Sequence, residues 1–200
     1  MTWEELKIAT LQKMFASSAT TLESNSTTTP YLNCMPQVAN EGLQLLATAG
    51  KFIVKSKDIT QDGTDIGLVK KHDFSTLVAD FYSFGGNKVY LNDGEEYKET
   101  TDYKIEGKTL FVLDSDAIGT WTVYYNAYPQ TITSATIGTT VLALDSELTA
   151  ILPLYMASQL YKDDDVSLAT QWRNEFEVAR SLLNPNNNTM VVLTSEFEGW

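Results

Sequence analysis

A change of hydrophobic period near residue 51, reversed near residue 145, constrains this chain more than any other feature. Residues 2–50 and 145–183 repeat apolar side chains at the three- to four-residue spacing of amphipathic helices. Between them lie short β-favouring runs separated by Asp, Asn and Gly, which is typical of an antiparallel sheet. The sequence therefore predicts a β region inserted between two helical regions.

The first predicted helix begins at Thr2 and continues to about Ala16. Thr2 can cap its amino end, and Glu5 stands three residues later, where its carboxylate can reach back to the capping amide. Apolar residues then recur at helical spacing, namely Ile8, Leu11 and Phe15.

A loop and a second, more apolar helix follow. Residues 17–29 are rich in Ser and Thr, whose hydroxyls compete for backbone hydrogen bonds, and they contain little to bury. Pro30 or Pro36 can occupy the first turn of the next helix, where a missing amide proton costs least. Gly50 ends it, because glycine tolerates a left-handed backbone.

Strand signals begin at residue 51. Residues 103–110 predict a tight hairpin with Glu106 and Gly107 at its turn. Residues 119–129 alternate, which predicts a strand with Trp121, Val123 and Tyr125 on one face and Thr122, Tyr124 and Asn126 on the other. Further β-favouring runs occupy residues 52–54, 67–69, 88–91 and 109–113.

Two more helices are predicted after residue 140. Asp145 can cap the first of them, and Pro153 either bends this helix or lies in a late first turn. The acidic triplet Asp163, Asp164 and Asp165 breaks the pattern as a turn between helices, and Asp164 or Asp165 can cap the last helix, which ends at about residue 183.

These elements predict an α+β fold. Residues 1–50 and 133–184 supply N- and C-terminal helix pairs that pack as a four-helix bundle, because each pair alone buries too little apolar surface. An antiparallel β-domain over residues 51–132 is inserted into that bundle, and residues 185–200 form an extended C-terminal tail.

The composition argues against several classes of function. The net charge is −12 and only two residues are arginines, whereas phosphate binding needs clustered Lys and Arg. An acidic wall could still line a passage for DNA, since repulsion prevents adhesion. Cys34 is the single cysteine, which rules out an intramolecular disulfide. Neither a signal peptide nor a membrane span is predicted, so we expect a protein made in the cytoplasm.

Candidate chemical groups are sparse, and we expect no catalytic, metal or cofactor site. His72 is the only histidine and is expected to be an exposed polar residue in a loop or edge. Asp58, Asp62 and Asp65 lack the spacing of a calcium loop. The pair Gly85 and Gly86 lacks the lysine of a phosphate loop, so a turn is expected there.

The C-terminal tail is unusual because it is apolar and β-prone where a free end is normally polar. Such a tail could add a strand to a neighbour's sheet edge, or it could pack on its own domain. We expect an interface with a neighbouring subunit or a portal protein at Met190, Val191, Val192, Leu193, Phe197 and Trp200.

Three stretches, residues 31–47, 147–165 and 169–177, resemble the head-to-tail connector (adaptor, head completion or neck) proteins of tailed bacteriophages. In that family a late helix ends in a short acidic turn before a helix that carries a stretch like Arg173-Asn-Glu-Phe176. The resemblance implies a non-enzymatic structural virion protein that forms a ring, commonly of twelve copies, under the portal. Its partners would be the portal and tail, nozzle or fibre proteins, with DNA passing through without specific binding.

Two other classes remain as alternatives. Trp121, Tyr124, Tyr125 and Tyr128 could stack on sugars or bases, which would suit a carbohydrate- or host-binding module, although alternating aromatics in a strand more often build a core. A hydrolase with paired carboxylates would need two acidic side chains facing each other across a cleft, a geometry that sequence alone does not reveal.

Overall fold

The computed structural model describes residues 1–15, 20–50, 53–62, 69–86, 88–114 and 116–183. Over these residues the chain is α+β, with five helices and antiparallel sheets. It divides into two compact units. The helical unit comprises Met1–Ile53 and Ala127–Pro185, and the β unit comprises Val54–Asn126.

Helix α1 spans Trp3–Phe15 and begins with the predicted capping box. The Thr2 amide donates to Glu5 Oε2 at 2.8 Å, and the Glu5 amide donates to Thr2 Oγ1 at 3.3 Å. The two side chains thus satisfy amides that a helix leaves unpaired at its start. The same end is tied to the segment before α4, because the Trp3 amide donates to the Thr140 carbonyl at 2.9 Å.

Helix α2 spans Thr29–Thr48. Pro30 lies in the first turn of α2, which confirms one of the two predicted positions for a proline there. Pro36 lies inside the helix, so the alternative start at this residue is wrong. Gly50 adopts a φ of 102° directly after the helix, which confirms its predicted role as a left-handed terminator.

Helices α4 and α5 span Ser146–Leu160 and Val166–Leu182. The predicted side-chain cap at Asp145 is wrong, because this residue precedes α4 but its carboxylate accepts no capping hydrogen bond. Pro153 lies in the interior of α4, so the alternative of a late first turn is also wrong. The predicted cap at Asp165 is confirmed by two hydrogen bonds from α5 amides.

Helix α4 is the centre of the helical unit, where it packs against α1, α2 and α5. Its side chains Leu152 and Met156 are completely buried, as are Leu6 of α1 and Phe176 of α5. Gly42 allows α2 to approach α4 closely, since a Cβ there would lie 2.6 Å from Leu152 Cδ1. A continuous apolar core therefore joins elements from both ends of the chain.

The described residues of the β unit form eight strands and one short helix. One sheet has the order β1-β8-β4-β5 with β3 also paired to β8, and the second has the order β2-β7-β6. Helix α3 is Phe74–Leu77. The strands are β1 Ile53–Gln61, β2 Lys70–Asp73, β3 Phe81–Ser83, β4 Val89–Asn92, β5 Tyr97–Glu99, β6 Lys104–Glu106, β7 Leu110–Leu113 and β8 Gly119–Ala127.

The predicted alternation of β8 is confirmed over most of its length. Trp121, Val123 and Tyr125 are all buried, and they face a core of aromatic rings around Phe74 and Phe111. Asn126 departs from the pattern, since it was expected on the outward face and is only 1% exposed. Its Nδ2 donates to Ser83 Oγ at 3.1 Å, which compensates for the burial of its amide.

The other predicted strands are partly correct. The hairpin of β6 and β7 forms around Gly107, with Ile105 opposite Phe111. Of the run predicted at residues 67–69, residues 67 and 68 lie outside the described part of the chain, and residue 69 directly precedes β2, which begins at Lys70. Strands β3 and β5 and helix α3 were not predicted; each has only three or four residues.

None of the helices formed by the described residues is both long enough and apolar enough to cross a bilayer.

Candidate interaction site

The predicted acidic turn lies between α4 and α5, and its three carboxylates have different roles. Asp165 Oδ1 accepts from the amides of Ser167 at 2.8 Å and Leu168 at 3.0 Å. Asp163 and Asp164 are exposed. One carboxylate therefore starts α5, and the other two face solvent at the end of the helical hairpin.

Asp164 is tied to α2 by a contact between residues 133 positions apart. The Tyr31 hydroxyl donates to Asp164 Oδ2 at 2.8 Å. This hydrogen bond, together with burial and the negative charge of Asp164, raises the pKa of Tyr31 to about 12. The phenol therefore remains neutral and keeps donating at any physiological pH.

Aromatic rings hold the turn in place. The Phe15 ring lies 5.6 Å from that of Tyr31 and 6.3 Å from that of Tyr161, both edge-on. Tyr161, at the end of α4, also lies 5.5 Å from Trp172 of α5. Four rings from different elements thus fix the direction in which the turn projects.

A groove of about 550 Å³ runs beside this turn, between α2 and the end of α4. Apolar groups, amides and carboxylates line it, and Lys162 is the only cation among the described residues that do so. The groove therefore suits a segment that is apolar with basic or hydrogen-donating groups. Its lining residues include Pro30, Cys34, Val38, Glu41, Leu160 and Asp163. Cys34 is exposed and has a free thiol.

Both arginines of the chain are engaged within α5. Arg173 Nη2 lies 2.7 Å from Glu177 Oε1, and Arg180 Nη2 lies 2.8 Å from Glu177 Oε2. Arg173 also lies over the Tyr155 ring, 5.2 Å from its centroid. The charge of both guanidinium groups is thus partly offset by the Glu177 carboxylate.

The outward face of α5 carries exposed apolar side chains near its end. Val178 is 61% exposed and Leu182, four residues later on the same face, is 77% exposed. Single exposed apolar residues are common, but a pair at helical spacing forms a small stripe suited to contact with another surface. The expected tail interface at Met190, Val191, Val192, Leu193, Phe197 and Trp200 follows this stripe in the chain but lies outside the described residues.

His72 is less exposed than expected. It lies in β2 at the edge of the smaller sheet, half-buried, with Nε2 lacking a hydrogen-bond partner among the described residues. Burial, and then the charge of Lys70, lower its pKa, so the neutral imidazole is favoured. Within the part of the chain that the structure describes, no nucleophile or carboxylate is hydrogen-bonded to its Nε2.

The remaining candidate chemical groups have structural roles. Asp58 lies in β1. Within the described residues, no group of three or more His, Cys, Asp or Glu side chains could hold a metal ion. Asp65, which was compared with a calcium loop, lies outside the described residues. Gly85 and Gly86 form a turn with positive φ, as expected. Trp121 and Tyr125 are core residues rather than an exposed platform.

The tie between Tyr31 and Asp164 was not predicted from the sequence, because nothing local to either residue signals a partner so distant in the chain. The acidic turn itself was visible as a break in helical period. The groove forms where α2 lies beside the end of α4, so no pattern within either helix indicates it. No protein-family model and no curated protein sequence matches this chain.

Proposed function

We propose that this protein is a structural virion component, a head-to-tail adaptor that forms a ring under the portal of a tailed bacteriophage. In this role it links the capsid to the tail, occupies the neck of the virion and lines the DNA channel. It has no catalytic function in this proposal. Its partners are further copies of itself in a ring of twelve, the portal, and tail, nozzle or fibre proteins.

The proposed architecture is a four-helix bundle built from α1, α2, α4 and α5, with the β unit as an insertion and residues 185–200 as an extension. Support comes from the packing of α4 against the other three helices. The described residues of the β unit, Val54–Asn126, lie in the sequence between the two segments of the helical unit, as an insertion requires.

The observation that carries the proposal is the α4–α5 hairpin with its fixed acidic turn. The stretches that resemble connector proteins form α2, α4 and α5, and Tyr31 of α2 is hydrogen-bonded to Asp164 of the turn. A turn held by a side-chain hydrogen bond and packed rings is preorganised for contact with a neighbour.

Charge gives independent support. The net charge is −12, and both arginines are ion-paired to Glu177. A ring of such subunits would present DNA with a wall that repels phosphates, as a passage without specific binding requires. The exposed Val178 and Leu182 provide apolar surface near the start of the extension.

The direct test is assembly with the portal protein encoded in the same genome. The full-length protein, alone and mixed with portal, is examined by negative-stain electron microscopy and mass photometry. Closed rings with a central hole, alone or on the portal, are the expected result. A protein that stays monomeric and does not bind portal would contradict the proposal.

Variants divide the proposal into its parts. Deletion of residues 186–200 is expected to abolish binding to portal or between subunits, while the circular dichroism spectrum of the helices is retained. Asp164→Asn with Asp163→Asn removes both exposed carboxylates of the turn and is expected to weaken assembly. The matched control is Glu95→Gln, an exposed carboxylate of the β unit, which should leave assembly unchanged.

A further inference from the structure

The larger sheet of the β unit has one face that is not part of the core. In the antiparallel register Tyr90 of β4 is opposite Thr122 of β8 and Glu99 of β5, and directly opposite residues lie on the same face. Side-chain hydrogen bonds extend this face to β1. We call it the hydroxyl face, and it comprises Asp58, Thr60, Tyr90, Asn92, Tyr97, Glu99, Thr120, Thr122 and Tyr124.

The two faces of this sheet differ sharply in burial. On the core face Trp121 and Val123 are 1% and 0% exposed. On the hydroxyl face Tyr90 is buried, at 5% exposed, beneath its neighbours, but Tyr97 is 55% exposed and Asn92 is exposed as well. The hydroxyl face is therefore available to a ligand, whereas the core face is not.

Three tyrosines form an ordered aromatic patch on this face. The Tyr90 and Tyr97 rings are stacked nearly parallel, with centroids 5.1 Å apart and an interplanar angle of 8°. Tyr124 meets the Tyr90 ring edge-on at 6.0 Å. Burial, followed by the charge and hydrogen bond of Tyr97, raises the pKa of Tyr124. Because the rings hold each other, a ligand that stacks on them loses little of its binding energy in ordering them.

The charged groups beside the patch are already satisfied within the protein. Lys88 Nζ lies 2.6 Å from Glu99 Oε2, and Thr122 Oγ1 donates to Asp58 Oδ1 at 2.7 Å. The remaining polar groups of the face are hydroxyls and an amide, from Thr60, Thr120 and Asn92. Such groups offer many donors and acceptors without net charge.

From this combination we infer that the hydroxyl face binds a neutral polysaccharide. The apolar C–H face of a sugar ring can lie on Tyr97 and Tyr124, and its hydroxyls can exchange hydrogen bonds with the threonines and Asn92. Because the face extends across neighbouring strands of the sheet, it suits an extended chain rather than a small molecule. This inference does not rest on the adaptor proposal, because it concerns only the β unit.

The test is affinity electrophoresis of the full-length protein in native gels that contain soluble polysaccharide. Dextran, mannan and mixed-linkage β-glucan serve as neutral probes, and alginate serves as the anionic one. We expect retardation in at least one neutral gel and none in alginate. Migration unaffected by every neutral polysaccharide, or retardation by alginate alone, would overturn the inference.

Variants establish whether the binding occurs at this face. Tyr97→Ala and Tyr124→Ala should each weaken the affinity about three- to tenfold, the range expected for loss of one aromatic contact. Tyr97→Phe should retain most of it, because the ring remains. Ile105→Ala, on the second sheet and at an exposed position, is the matched control and should bind normally. Equal binding by Tyr97→Ala, Tyr124→Ala and the control would overturn the assignment.

Discussion

Asn40 pairs with the backbone of Ile132 through both ends of its side-chain amide. Its Nδ2 donates to the Ile132 carbonyl at 2.8 Å, and its Oδ1 accepts from the Ile132 amide at 2.8 Å. The Asn40 side chain thereby forms the pair of hydrogen bonds that a neighbouring strand would otherwise form with the backbone of Ile132. It fixes to α2 the segment that brings Ile132, 3% exposed, into the helical core.

Substitution of Asn40 should therefore destabilise the helical unit. Asn40→Ala leaves a partly buried amide and carbonyl without partners, and we expect a loss of about 3 kcal/mol in the free energy of unfolding. Asn33→Ala, at an exposed position of the same helix, should change it by less than about 0.5 kcal/mol. Urea unfolding followed by circular dichroism measures both, and equal stabilities would contradict the role given to Asn40.

Gly85 and Gly86 should respond differently to the same substitution. Both have positive φ, but a Cβ on Gly85 would lie 2.0 Å from Asn126 Nδ2, whereas a Cβ on Gly86 meets nothing within 4 Å. Gly86→Ala should cost about 1 kcal/mol, from backbone strain alone. Gly85→Ala should cost at least twice as much, because the buried Asn126 must also move. Thermal unfolding of the two variants tests this difference.

The acidic turn offers a comparison between neighbouring aspartates. Asp165→Ala removes the acceptor of two α5 amides and should lower the free energy of unfolding by about 1 kcal/mol. Asp163→Ala, at an exposed position of the same turn, should have little effect. Asp165→Asn should recover much of the loss, since asparagine is also a good cap. Loss of stability in Asp163→Ala equal to that in Asp165→Ala would contradict the assignment.

Tyr125 should make the stability of the β unit sensitive to alkaline pH. Burial, and then its hydrogen bond to Asp80, raise its pKa from 10.0 to about 12. A raised pKa favours the neutral phenol, so the contribution is complete below about pH 10 and is lost as pH rises towards 12. It should be on the order of 2 kcal/mol.

Tyr125→Phe provides the control for this pH dependence. The variant should be less stable near neutral pH, because it lacks the hydrogen bond to Asp80, but its stability should fall less than that of the wild type above about pH 10. Urea midpoints measured across this range for both proteins test the expectation. Parallel curves would show that Tyr125 does not titrate as described.

Local signals in the sequence predicted the structure correctly at several positions where a residue interacts with its near neighbours in the chain. The capping box of Thr2 and Glu5 and the cap at Asp165 depend on residues two or three positions away. The same reasoning was wrong at Asp145. Its backbone carbonyl accepts hydrogen bonds from the Leu148 and Thr149 amides, but its side chain accepts none from the helix. A suitable residue type at a helix start does not fix its rotamer.

Tertiary partners account for the other differences. Alternation placed Asn126 outward, but it is buried because Ser83 and Gly85 of another part of the β unit lie against it. Strand β3 has three residues and pairs with β8, more than thirty positions later in the chain, so no local repeat indicates it. The tie between Tyr31 and Asp164 spans even more of the chain. Only the fold brings such residues together.

The central position of α4 determines when the helical unit can be completed during synthesis. Residues 1–48 leave the ribosome first, yet the helix that covers their apolar side chains begins only at Ser146. The β unit, whose last described strand ends at Ala127, has its core available earlier. Contacts between distant parts of a chain form slowly. Helices α1 and α2 are therefore synthesised first but pack against α4 only after it has been made. Until then, their apolar faces are exposed in the nascent chain.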